Sequence, residues 1–79
     1  MVRTYLDHNA EILQISLNGS IKTNIVYNAN LNFKIIKARL SELIEYGLLM
    51  KEGKVYQTTS KGERFLYHYE ILRGLLEIG

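Results

Sequence analysis

The chain has 79 residues and a mass of 9.2 kDa, which leaves room for one hydrophobic core and excludes a multidomain enzyme. Hydrophobic residues make up 47% and charged residues 23%, an ordinary globular balance, and the lack of cysteine excludes disulfides, thiolate nucleophiles and cysteine-based zinc sites. The net charge of +2 is an average: residues 20–64 hold eight basic side chains against four acidic ones, while both flanks are slightly acidic.

The first apolar periodicity places Leu6, Ala10, Leu13 and Leu17 on one stripe with Ile12 beside it. It predicts a helix closed by Asn18-Gly19, two residues that tolerate the left-handed conformation ending a helix. Ser20-Ile21-Lys22 is too short for a helix and reads as a one-pair strand. Thr23 is placed to cap a short second helix carrying Ile25, Val26 and Ala29. Asn28 to Asn32 then form a tight turn. In it Ala29 allows close helix approach, Asn30 tolerates positive φ, Leu31 tucks into the core and Asn32 caps the next helix.

The third helix is predicted from about Phe33 to Tyr46. Phe33, Ile36, Leu40, Leu43 and Ile44 form its apolar stripe, and Lys34, Ala38, Ser41 and Glu45 lie opposite with Lys37 beside them. Gly47 stops it. Leu48 to Lys51 and Lys54 to Thr58 flank Glu52-Gly53, a two-residue hairpin link. The last helix has two competing caps, Ser60 with Glu63 at capping-box spacing, and Thr59. It carries Phe65, Tyr69, Leu72 and Leu76 on one stripe with Leu66, Ile71, Leu75 and Ile78 around it, more apolar surface than one small core covers.

Three helices, a tight turn between the second and third, and a hairpin directly after the third are the layout of a winged helix-turn-helix. The expected fold is mainly α with a small β-hairpin. It is one domain over 1–79, with the three helices and the wing in 1–58 and a C-terminal helix in 59–79. Such a domain lays its third helix, about 33–46, in the DNA major groove and its wing, 50–55, along the backbone or minor groove. Charge agrees: from Ser20 to Ser41 there are four cations and no anion, although a solvated basic face is the plainer reading of such a cluster. The expected DNA contacts are Lys22, Thr23, Asn32, Lys34, Lys37, Ala38, Arg39, Ser41, Lys51 and Lys54. Lysine suits phosphate as a point charge; Asn32 has the amide that pairs with adenine, but capping is its competing role.

The last helix points to self-association. About 18 residues make roughly five turns, and the second apolar stripe needs a partner. A homodimer through Phe65, Tyr69, Leu72, Leu75 and Leu76 is expected. His8 and His68 lie far apart with no cysteine or paired acid beside either, so both read as surface or packing residues. No catalytic site, metal, cofactor or small-molecule ligand is expected. Tyr27, Tyr46 and Tyr56 fall in the basic centre; Tyr56 is placed to touch DNA from the wing, and core or core-edge packing is at least as good a reading for all three. The longest purely apolar run is Leu48-Leu49-Met50, against the ~18 residues that a membrane span needs. A cytoplasmic, nucleoid-associated protein is expected.

The run Lys22-Thr23-Asn24-Ile25-Val26-Tyr27-Asn28-Ala29-Asn30-Leu31-Asn32-Phe33, together with Leu40, Leu43, Gly47-Leu48-Leu49, Tyr56 and Thr59-Ser60-Lys61-Gly62, resembles the archaeal ArnR-like winged-helix family. That family also includes the small 10a-type chromatin proteins of Sulfolobus. The resemblance spans nearly the whole chain and implies double-stranded DNA binding, an archaeal or archaeal-viral origin and, for the 10a type, dimerisation through an antiparallel coiled coil of the last helix. One departure is the Tyr67-His68-Tyr69 cluster, which interrupts a heptad in an already short last helix. A small archaeal transcriptional regulator is the leading expectation, sequence-specific or architectural. The alternative is a winged helix that docks on protein within the transcription machinery, since the fold serves both roles.

Overall fold

Backbone hydrogen bonding and side-chain periodicity together give seven elements in the computed structural model, which describes residues 5–29 and 31–78, the last two of these by backbone only. They are α1 (Tyr5–Ile15), β1 (Ser20–Ile21), α2 (Lys22–Ala29), α3 (Phe33–Glu45), β2 (Leu49–Glu52), β3 (Val55–Thr58) and α4 (Ser60–Ile78). The expected tolerance of Asn30 for positive φ, and the packing of the Ile78 side chain, lie outside the described residues.

The core is one cluster fed by every helix and by the hairpin strands. Ile12 and Leu13 from α1, Ile25 and Ala29 from α2, and Ile36, Leu40 and Leu43 from α3 meet Leu49, Tyr56 and Leu66. Leu31 and Leu17 pack against its edge. Burying one Leu or Ile side chain contributes about 1.5–3 kcal/mol, so these few residues hold most of the stability of so small a domain.

The sheet has three antiparallel strands in the order β1-β3-β2. β1 is as short as expected, pairing Ser20 with Tyr56 and Ile21 with Val55. In β2 and β3, Leu49 opposes Thr58 and Glu52 opposes Val55. The hairpin link is therefore Gly53-Lys54, one residue later than Glu52-Gly53, because Glu52 is still paired. Gly53 takes φ 62° at the first loop position, where the tight hairpin turns need a positive value. The C-terminal end of β3 is fixed to the first helix: the Thr58 amide donates to the Ser16 carbonyl at 3.0 Å and the Thr58 hydroxyl to the Leu13 carbonyl at 2.6 Å.

Three local expectations are corrected. Thr23 does not cap α2: the helix starts at Lys22 straight from β1, so Thr23 lies exposed in the first turn. The apolar stripe of α3 narrows to Ile36, Leu40 and Leu43, and its flanking members Phe33 and Ile44 are 53% and 40% exposed. Of the two caps expected for α4, Thr59 takes the position, its hydroxyl accepting from the Gly62 amide at 3.1 Å and donating to the Gly47 carbonyl at 2.6 Å.

The apolar packing of α4 on the core comes from its first half. Leu66 is buried, Phe65 and Tyr69 are partly buried, and the Tyr69 hydroxyl donates to the Asp7 carboxylate in the first turn of α1. Past Tyr69 the apolar residues Ile71, Leu72, Leu75 and Leu76 are exposed. The molecule measures 42 × 26 × 19 Å. No helix among the described residues is long and apolar enough to cross a membrane.

Candidate nucleic-acid interface

α3 is defined at its start by an N-cap. Asn32 has extended φ and ψ of −72° and 156°, and its side-chain oxygen accepts from the Ile35 amide at 2.9 Å. This satisfies one of the amides that a helix start leaves without a partner. Of the two roles open to Asn32, capping is the one its side chain fills. With Ile36, Leu40 and Leu43 turned inward, helical geometry carries Lys34, Lys37, Ala38 and Ser41 onto the outer face, and all four are exposed. Glu45 shares that face one turn further on.

The hairpin adds two cations. Lys51 lies on β2 with its ammonium 5.3 Å from the ring centroid of Tyr56, and Lys54 is exposed in the loop. Tyr56 itself is 6% exposed, so it props Lys51 from below and belongs to the core. Lys22 starts α2 with its ammonium 5.3 Å from the centroid of the Phe33 ring, linking the starts of α2 and α3. Such a contact is worth about 0.5–1 kcal/mol at an exposed site.

Arg39 stands apart from the other expected contacts. Its side chain is 18% exposed, its guanidinium stacks over the Tyr5 ring at 4.2 Å, and it pairs with Glu42 at 3.1 Å. The Tyr5 hydroxyl also donates to Glu42. Arg39 Nε is buried without a hydrogen-bond partner. The group braces α3 against the start of α1, on the flank of α3 opposite Phe33. Between the two helices an open groove of about 470 Å³ runs over Ile35 and Ala38, with His8 on its α1 side.

Two aromatics expected at the core or its edge are exposed. Phe33 falls on the core stripe by periodicity, and Tyr27, 86% exposed on α2, reads as core-edge packing. A signal for Tyr27 exists, because Ile25 and Ala29 are the buried positions of α2 and a residue midway between them points outward. Tyr46 is also exposed, at 55%. His68 is exposed beside Tyr67, and no group of three or more His, Cys, Asp or Glu side chains comes together among the described residues.

The residues expected at a dimer contact divide in two. Phe65 and Tyr69 stack on one another with centroids 6.3 Å apart and pack against their own core. Burial raises the Tyr69 phenol above its ordinary value of 10.0, and the hydrogen bond and charge of Asp7 raise it further. Leu72, Leu75 and Leu76 are 46%, 69% and 68% exposed.

Comparison with solved structures finds the same fold in Sso10a-2, a DNA-binding protein from Sulfolobus solfataricus. The match has a TM-score of 0.83 at 24% identity and covers 95% of this chain and 83% of that one. No curated protein sequence matches the chain significantly. A winged helix-turn-helix family matches residues 3–77, almost the full length. With three helices, the hairpin after α3 and the open face of α3 accounted for, the chain belongs to the winged helix-turn-helix family.

Proposed function

We propose that this protein binds double-stranded DNA as a homodimer and acts in transcription regulation, with α3 in the major groove and the β2–β3 hairpin along the backbone. The observation that carries this reading is the shared placement of Lys34, Lys37 and Ser41 on the open face of α3 and of Lys51 and Lys54 on the hairpin beyond it. An α-helix fits the major groove, and lysines spread over both elements supply phosphate contacts. Membership of the winged helix-turn-helix family supports it, as does the fold shared with Sso10a-2, itself a DNA-binding protein from an archaeon.

In this reading Lys22 and Thr23 meet the backbone from the start of α2, and Ala38 contacts bases beside Lys34. Asn32 orders the helix, and Arg39 adds positive field from behind the face. The exposed Leu72, Leu75 and Leu76 on the outer half of α4 are the surface that a second copy would cover, with Phe65 and Tyr69 backing it from the core.

A gel shift on random duplex DNA at low salt tests the reading. A shift at micromolar protein that weakens steeply with salt is expected. Lack of any shift would favour a protein-docking winged helix. Selection from random duplexes then separates a regulator, which returns a motif, from an architectural protein, which does not.

A further inference from the structure

Phe33 stands on the surface at the start of the α3 face. It is the first residue of α3, and the core closes over Ile36, Leu40 and Leu43 without it, leaving it 53% exposed. An exposed phenyl ring forgoes much of the burial that an aromatic side chain usually gains. Its surroundings are cationic: the Lys22 ammonium lies 5.3 Å from the ring centroid, and Lys37 lies one turn on along the same side of the helix. An apolar ring framed by lysines matches a ligand that presents a small apolar group among anions. In duplex DNA that group is the 5-methyl of thymine, which projects into the major groove between the two phosphate backbones. The N-terminal residues of a recognition helix are the ones that reach base edges.

We infer that Phe33 reads thymine 5-methyl groups, so that this protein discriminates bases by apolar contact at the start of α3 as well as holding phosphates through its lysines. The inference rests on the DNA-binding reading proposed above. It assigns sequence preference to a side chain that forms no hydrogen bond with a base. It also accounts for a face rich in lysine, which distinguishes bases poorly.

The test compares two short alternating duplexes, dA·dT and dA·dU, which carry the same charge and differ in the 5-methyl group. Affinities are measured at one fixed salt concentration for the wild type, Phe33→Ala, Phe33→Leu and Lys34→Ala. The wild type is expected to bind the dA·dT duplex about fourfold more tightly for each methyl it covers. Phe33→Ala is expected to bring the ratio to one, Phe33→Leu to retain part of it, and Lys34→Ala to weaken both duplexes equally with the ratio kept. Circular dichroism checks that each variant folds. A wild-type ratio of one overturns the inference without any variant, and so does a ratio that survives in Phe33→Ala; either result leaves DNA binding itself standing. Failure of the wild type to bind either duplex overturns the DNA-binding reading and this inference with it.

Discussion

Gly62 in the first turn of α4 lies against Leu48 so closely that a β-carbon on it would sit 2.2 Å from the Leu48 carbonyl oxygen and 2.6 Å from Thr58 Cγ2. The same Leu48 carbonyl accepts from the Thr59 amide at 3.0 Å, so the start of α4 is pressed onto the α3–β2 connection through backbone on both sides. Gly62→Ala is expected to cost about 2 kcal/mol or more, outweighing the gain in helix propensity. Gly74, in the same helix, has nothing within 4 Å of its would-be β-carbon. Gly74→Ala is expected to add about 0.5–1 kcal/mol. Urea midpoints of the two variants measure both, and a Gly62→Ala protein as stable as the wild type would contradict the packing described.

Two buried hydroxyls are expected to behave in opposite ways. Thr58 donates to the Leu13 carbonyl, whereas the Ser16 hydroxyl, fully buried, has no partner. Thr58→Val strands an acceptor and is expected to lose about 1–3 kcal/mol. Ser16→Ala removes a donor that gains nothing and is expected to leave stability unchanged or raise it. Thermal melts of both proteins check the pair.

The phosphate contacts have a measurable signature. Replacing both Lys34 and Lys37 by Ala is expected to reduce the slope of log affinity against log salt by about 1.8, roughly 0.9 for each phosphate left without its lysine. Arg73→Ala, in α4 and outside the basic centre, is expected to leave that slope alone. Fluorescence anisotropy over a salt series reads both, and equal slopes for the two variants would remove α3 from the groove.

Tyr69 is expected to make stability depend on pH in the alkaline range. Its phenol loses a proton at higher pH in the folded protein than in the unfolded chain, because of burial and the Asp7 contact. The folded state thus holds more protons in this range, and its stability must fall as pH rises past 10.0. Below that range the contribution is fully present. Stability of the wild type is expected to fall more steeply as pH rises past 10.0 than that of Tyr69→Phe, which lacks the titrating group. Urea midpoints across that range test the difference.

Self-association is tested on the outer half of α4. Leu75→Glu is expected to leave the fold intact, since Leu75 is 69% exposed, and to convert a dimer to a monomer in sedimentation equilibrium. A wild type that sediments as a monomer at high concentration would refute the homodimer outright.

Features written in short-range chemistry are readable from the residues. Asn32 caps α3, Gly53 turns the hairpin, and the inward positions of α3 come from spacing alone. The features that escape such reading depend on elements far apart in the chain. Arg39 resembles a DNA contact because nothing near it in sequence shows that Tyr5 will lie under its guanidinium. Phe33 resembles core because periodicity gives the width of an apolar stripe only to within one residue on each flank. Thr59 and Ser60 are equal caps by spacing, and only the Gly47 carbonyl, within reach of one hydroxyl, separates them.

β3 is bonded along both edges, to β1 and to β2, and tied at its end to Leu13 and Ser16 of the first helical segment. The wing therefore has no hinge at its root. The Gly53-Lys54 tip is thus joined through Val55 to Ile21, the residue directly before α2. Mechanical support is greatest at the root of the wing, where β3 is bonded on both edges and at its end.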